Sequence, residues 1–139
     1  MLTHKYTAVC EYARQEAGGK WIIIGLFTNG IGTPVIPFPL PTLTFFQSLY
    51  ADSPGHYRFS AKLSQLDTGT VLASVQGGVQ TAQAGPVVIA LPLPNLQFKA
   101  FGIYTWALEI EGQDEPFITE FNVAHVPQQM RIIPPPPRN

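Results

Sequence analysis

The triplet Asp67-Thr68-Gly69 is the first candidate for chemistry, because aspartic proteases place a catalytic carboxylate with Asp-Thr-Gly. A short chain could supply one aspartate per subunit of a dimer, where two carboxylates share a proton and activate water. In such enzymes a supporting apolar-apolar-Gly segment follows the triplet, whereas the candidate here, Ile23-Ile24-Gly25, precedes it. The same residues are typical of a hairpin turn. We predict a turn and keep a dimeric aspartic protease using Asp67 as a remote alternative.

The second candidate is the segment 52–56, which gathers Asp52, Ser53 and His56. A catalytic triad needs side chains that converge from separate elements, whereas these residues fall within one five-residue turn. The other histidines, His4 and His125, have no second ligand at a metal-binding spacing. We therefore predict a solvated loop, no metal and no cofactor.

Carboxylates and the single thiol complete the set of chemical candidates. Glu109 and Glu111 share the polar face of one strand, and Glu120 could lie across from them, but exposed strand carboxylates usually serve solubility. Cys10 has no histidine near it in sequence, so a buried structural thiol is expected. These observations predict a protein that is not an enzyme.

Composition limits the partners. The chain has 139 residues, of which 45% are hydrophobic but only 12% are charged, and its formal net charge is −1. Such a charge supplies no field for nucleic acid or an anionic membrane, so protein partners are favoured. The start of the sequence lacks the features of a secretory signal, and no apolar run is long enough to span a membrane. We expect a cytoplasmic protein.

Period-two alternation dominates the chain and predicts an all-β protein. Strands are predicted at about 5–13, 20–28, 42–51, 56–66, 70–76, 86–93, 102–111 and 116–126. Residues 29–41 hold four of the 14 prolines and are predicted to form an extended connection. We predict an antiparallel, two-sheet, immunoglobulin-like sandwich of seven to eight strands over residues 1–126, followed by a proline-rich tail at 127–139.

The segment Gly102-Ile103-Tyr104 resembles the tyrosine corner of Greek-key sandwiches, in which the hydroxyl bonds back to the preceding connection. An immunoglobulin domain would have a cysteine where this chain has Trp106. Tyr104 and Trp106 are therefore assigned structural roles, without antibody-like function.

The segment 20–28 contains KWIIIGLF, which is apolar on both faces of its predicted strand. Ile22, Ile24 and Leu26 lie opposite Trp21 and Ile23, and Phe46 and Tyr50 likewise point away from the core. One explanation is a bulge at Gly25 that switches faces, with the proline-rich connection covering the outer surface. The other is a protein interface, since contiguous exposed apolar patches mark association sites. Both remain open.

The tail offers another possible contact. Arg131, Pro134 and Pro137 fit the spacing of peptides that bind SH3-type grooves. Packing of the tail on its own domain or on a second copy is the preferred interpretation.

Several short motifs resemble an uncharacterised bacterial family of small β-sandwich proteins. They are Ala8-Val9-Cys10-Glu11-Tyr12-Ala13, then Gly18-Gly19-Lys20 and an apolar strand ending at Gly25, Pro37-Phe38-Pro39, the hairpin at 67–69, and Gly102-x-Tyr104. The resemblance spans residues 5 to 124 and implies a sandwich of unknown function.

The sequence therefore predicts a non-enzymatic protein-binding domain or structural subunit. We expect a homo-oligomer or a component of a larger assembly. The alternative is a module that holds a small ligand or a carbohydrate against Phe46, Tyr50 and Trp106.

Overall fold

The computed structural model describes residues 1–127 and 135–138, and the strands in them confirm the all-β prediction. Their bounds are β1 Leu2–Gln15, β2 Trp21–Phe27, β3 Ile31–Thr33, β4 Phe38–Ala51, β5 Gly55–Gln65, β6 Val71–Thr81, β7 Gly85–Phe98, β8 Gly102–Ile110 and β9 Phe117–His125. None of the described residues belongs to a helix that could span a membrane. The predicted boundary at residue 127 stays a prediction.

The strands form a two-sheet sandwich. One sheet has four strands in the order β2-β1-β4-β7, and the other has five in the order β3-β9-β8-β5-β6. The sandwich was predicted, but the described residues form nine strands rather than seven or eight. The extra strand, β3, pairs with β9 in parallel, so the sandwich is not wholly antiparallel. A strand of three residues, followed directly by Pro34, is too short for alternation to be detected.

The core lies between the sheets and is built from alternate residues of each strand. At its centre Phe45 of β4 stacks on Trp106 of β8, with ring centroids 4.1 Å apart and planes 4° from parallel. Both side chains are fully buried. Burying a large apolar side chain contributes roughly 1.5–3 kcal/mol, so these residues stabilise the contact between the sheets.

The tyrosine corner is confirmed. The hydroxyl of Tyr104 donates a hydrogen bond of 2.8 Å to the carbonyl oxygen of Ala100, in the connection before β8. Burial raises the pKa of this hydroxyl, because the charged form is harder to hold in an apolar surrounding. The phenol is therefore an uncharged donor that ties the β7–β8 connection to the sheet.

The proline-rich segment differs from its prediction. It was expected to be a connection, but its last part, from Phe38, belongs to β4 and pairs with β7. Here β4 has a neighbour on one side only, because its pairing with β1 ends at Thr44, and proline is tolerated at such an edge. Pro92 and Pro94 lie in β7, which is the last strand of its sheet and so tolerates proline in the same way.

Candidate interaction surface

The β1–β2 hairpin positions most of the residues predicted to bind protein. Its turn contains Gly18 and Gly19, whose φ angles of 88° and 83° are those that glycine adopts most readily. The two strands pair in one register from Gln15 opposite Trp21 to Val9 opposite Phe27. Only the part up to Cys10 is also paired with β4, so the rest of the hairpin extends beyond the sheet.

Gly25 changes the direction of β2. Its φ is 69°, and the register on either side of it is unchanged, so no extra residue is inserted and the predicted bulge is absent. The predicted change of face nevertheless occurs. Phe27 packs against the core, whereas Trp21, six positions earlier and on the same face by simple alternation, contacts the outer side of the sheet.

Trp21 and Tyr6 cover Phe46 on that outer side. The ring of Phe46 lies 5.3 Å from that of Trp21 and 6.3 Å from that of Tyr6, and Phe46 is only 4% exposed. On β1, Phe46 pairs with Ala8 and Trp21 pairs with Gln15. These two positions of β1 are seven residues apart. Seven residues of flat strand would separate the two rings by about 23 Å. The hairpin must therefore curl back over its own sheet.

The remainder of the hairpin exposes large apolar side chains, which we call the hairpin patch. It consists of Tyr6, Tyr12, Ile23, Ile24 and Leu26, with exposed fractions of 55%, 47%, 36%, 51% and 54%. Tyr12 pairs across the strands with Ile24 and shares its face of the hairpin, whereas Ile23, next to Ile24 in the strand, lies on the opposite face. Ile23 and Leu26 also line a cleft of about 760 Å³ between the hairpin and β9.

Charge near the hairpin patch comes from β1 and the turn, and Glu11 lies beside Gly25 of the patch-bearing strand. The nitrogen of Lys5 lies 5.6 Å above the ring of Tyr50, and Arg14 forms a 2.9 Å ion pair with Glu16. Strands β2, β4 and β7 contain no charged residue at all. The charges of this sheet are therefore confined to β1, and the other three strands offer uncharged surface beside the patch.

Cys10 is buried beneath the hairpin, as predicted. Its thiol contacts the carbonyl oxygen of Thr44 at 3.6 Å, and burial raises its pKa. A buried thiol with a raised pKa is a poor nucleophile. This geometry agrees with the structural role assigned to Cys10.

The structure separates the predicted protein-binding residues. Ile24, Leu26 and Tyr50 are exposed and available, and Ile22 is half-buried. Phe46 was predicted as a contact residue, which is wrong, because Trp21 and Tyr6 already cover it. The expected cover was the proline-rich connection, but that segment continues into β4 instead. KWIIIGLF also contributes less to the core than expected, since of its residues Phe27 alone packs there.

The tail residues are only partly described. Pro137 is exposed, whereas Arg131 and Pro134 lie outside the described residues. The proposed SH3-type motif stays a prediction.

Sequence reasoning did not select Tyr6, Tyr12 and Ile23 as contact residues. The signal was present for the two tyrosines, because alternation in β1 places them on the face of Ala8 and Cys10. The exposure of Ile23 depends on the turn of the chain at Gly25, which periodicity does not reveal.

The aromatic set proposed for a small ligand does not form a site. Trp106 is fully buried in the core, and Phe46 is buried beneath Trp21. Tyr50 alone is exposed. The prediction that these three rings hold a ligand is therefore wrong.

Of the chemical candidates, Asp67, Asp52 and Ser53 lie in turns, whereas His56 is the second residue of β5. Asp67 lies in the turn between β5 and β6, where Gly69 has a φ of 71°. The carboxylate of Asp52 accepts hydrogen bonds from the Met1 amine, at 2.7 Å, and from Ser53. Among residues 1–127 and 135–138, no group of three or more His, Cys, Asp or Glu side chains could hold a metal ion.

Comparison with known proteins gives a family and a fold. The chain belongs to the family of unknown function DUF6941, whose sequence profile matches residues 5–124. No curated protein matches. Among solved structures, the C-terminal domain of wzt is similar with a TM-score of 0.50 and 12% identity, covering 93% of this chain and 75% of that one. At this identity the likeness supports the sandwich fold alone.

Proposed function

We propose that this member of a family of unknown function is a non-enzymatic protein-association domain that binds a partner protein through the hairpin patch. The observation that carries the proposal is the exposure of five large apolar side chains on one hairpin. Exposed apolar patches of this kind mark association sites on soluble proteins. Aromatic residues, which the patch supplies as Tyr6 and Tyr12, are enriched at such interfaces.

The anatomy of the surface supports the same function. The hairpin extends past the point where β4 pairs with β1, so a partner can approach it without displacing the core. The cover over Phe46 keeps the curled hairpin attached to the sheet, so the patch is held in place before binding. Preorganisation of this kind lowers the entropic cost of association.

A pair of matched substitutions tests the proposal. Ile24 is 51% exposed in the hairpin patch, and Ile118 is 57% exposed on β9 of the other sheet. We expect Ile24→Lys to abolish binding, because it places an unpaired charge in an apolar interface, whereas Ile118→Lys should leave binding unchanged.

The measurement is the mass of the native complex formed by the tagged full chain in the cells that produce it. We expect wild type and Ile118→Lys to enter the same complex and Ile24→Lys to be absent from it. The melting temperatures of both variants should match that of wild type. Under that condition, the proposal is overturned if both variants lose the complex or if both retain it.

A further inference from the structure

The four edges of the two sheets differ in how they are protected against pairing with another strand. An exposed edge presents unpaired N–H and C=O groups and is a template for strand addition unless something blocks it. In the four-stranded sheet, β7 carries Pro86, Pro92 and Pro94, and β2 is bent at Gly25. In the five-stranded sheet, β3 is only three residues long. Each of these three edges has a protective device.

The fourth edge, β6, has none of these devices. It spans eleven residues without a proline or a charged side chain. Its ladder with β5 is uninterrupted from Gly55 opposite Thr81 to Leu63 opposite Ala73, and neither Gly77 nor Gly78 has a positive φ. Among the described strands, β6 pairs with β5 alone. A straight, uncharged edge is therefore open to a partner strand.

We infer that β6 pairs antiparallel with β6 of a second copy of this chain, about a two-fold axis near Gly77. In this register Val75 faces Val79 of the other copy, and both valines already pack against the core. On the opposite face, exposed Ser74 faces Gln80 of the other copy. In these two pairs an apolar residue meets an apolar one and a polar residue meets a polar one, while Ala73 at the end of the strand faces Thr81.

Two features favour a second copy of the chain over a strand of another protein: the absence of charge repulsion between two β6 strands, and the two-fold symmetry of the pairing. The nearest basic residues, Arg58 and Lys62, lie on β5 opposite Gly78 and Ser74, so β6 strands can meet without bringing like charges together. Because the pairing is isologous, two copies satisfy it completely. Blocked edges elsewhere oppose further growth, so the assembly should stop at a dimer with a continuous ten-stranded sheet.

This dimer would use a surface distinct from the hairpin patch. β6 lies beside β7, whereas β2 stands at the other end of its sheet. The two hairpin patches would therefore face away from the two-fold axis, and the dimer could bind two partner molecules. Linking two sites in this way raises the overall avidity without new contacts.

Two double variants that introduce charges at Ser74 and Gln80 test the inferred register. The measurement is sedimentation velocity on the purified full chain. The wild type should reach twice the monomer mass of 15.2 kDa at micromolar concentration. Ser74→Lys with Gln80→Lys should raise the Kd about tenfold or more, because each symmetric pair then juxtaposes two lysines. Ser74→Lys with Gln80→Glu should restore dimers, because the same positions become complementary.

The outcomes are distinct. A monomeric wild type, a dimer unaffected by Ser74→Lys with Gln80→Lys, or a failure of Ser74→Lys with Gln80→Glu to restore it would each overturn the inference. Circular dichroism confirms that both double variants keep their strands, since the substituted side chains are exposed. Ile24→Lys should leave the dimer intact, so loss of the β6 contact is separable from loss of partner binding.

Discussion

The outer surfaces of the two sheets differ in the charges that their strands carry. The five-stranded sheet places Arg58, Lys62, Glu109 and Glu120 on its outer side, where both signs are interspersed. The four-stranded sheet carries its charges on β1 alone, and its other three strands are uncharged. A mixed, charged surface is typical of a face exposed to water, whereas an uncharged one suits contact with protein.

Part of the apolar outer surface of the four-stranded sheet is covered by the sheet's own β1–β2 hairpin. Trp21 and Tyr6 cover Phe46, while Tyr12, Ile24 and Leu26 stay exposed. The sheet thus has an internally covered apolar part around Phe46 and an uncovered apolar part on the hairpin. Substitutions that separate these two parts test the comparison.

The largest effect is expected where the outer face acts as a second core. Phe46→Ala should lower the free energy of unfolding by about 3 kcal/mol, because it removes a side chain that is only 4% exposed. Tyr50→Ala, at a position 42% exposed on the same strand, should cost less than about 1 kcal/mol. Urea unfolding at one protein concentration measures both. Equal losses would mean that Phe46 is not covered in solution.

A smaller effect is expected at the bend of the hairpin. Gly25→Ala should cost about 1–2 kcal/mol, because alanine resists a φ of 69°. The added Cβ would also lie 2.8 Å from side-chain atoms of Glu11. Gly69→Ala is the matched control, with a φ of 71° and no atom within 4 Å. Thermal unfolding should show the greater loss at Gly25, and an equal loss would exclude a contribution from Glu11.

The smallest effect on stability is expected from protonation of His4, which adds a positive charge to the four-stranded sheet at low pH. His4 stacks on Phe117 at 5.3 Å, and burial lowers its pKa from the ordinary value of 6.5. The unfolded chain therefore binds this proton more readily, and stability should fall as pH drops below 6.5 towards the lowered pKa of the folded state. Urea midpoints measured against pH should decline less steeply for His4→Gln. Parallel curves would contradict the assignment.

Alternation in the sequence was sufficient for much of the fold, because a strand with one buried face imposes a period of two. The tyrosine corner, the turn at Gly69 and the burial of Cys10 were all predicted from local patterns. The short strand β3 and the prolines at the start of β4 were not predicted. Both depend on which neighbouring strands are present: β3 exists through its pairing with β9, and the prolines are tolerated where β4 has no partner on one side. The sequence located the apolar hairpin, but not the residues that cover Phe46, because their contact depends on the curl at Gly25.

The central claim is that the hairpin patch contacts a partner protein, and site-specific photo-crosslinking tests it most directly. Benzoylphenylalanine would replace Tyr12 in the patch and, as a control, Ile118 on the other sheet. In the cells that produce the chain, we expect one defined protein adduct from position 12, lost when Ile24→Lys is added, and none from position 118. Absence of an adduct at position 12, or equal adducts at both positions, would contradict the claim.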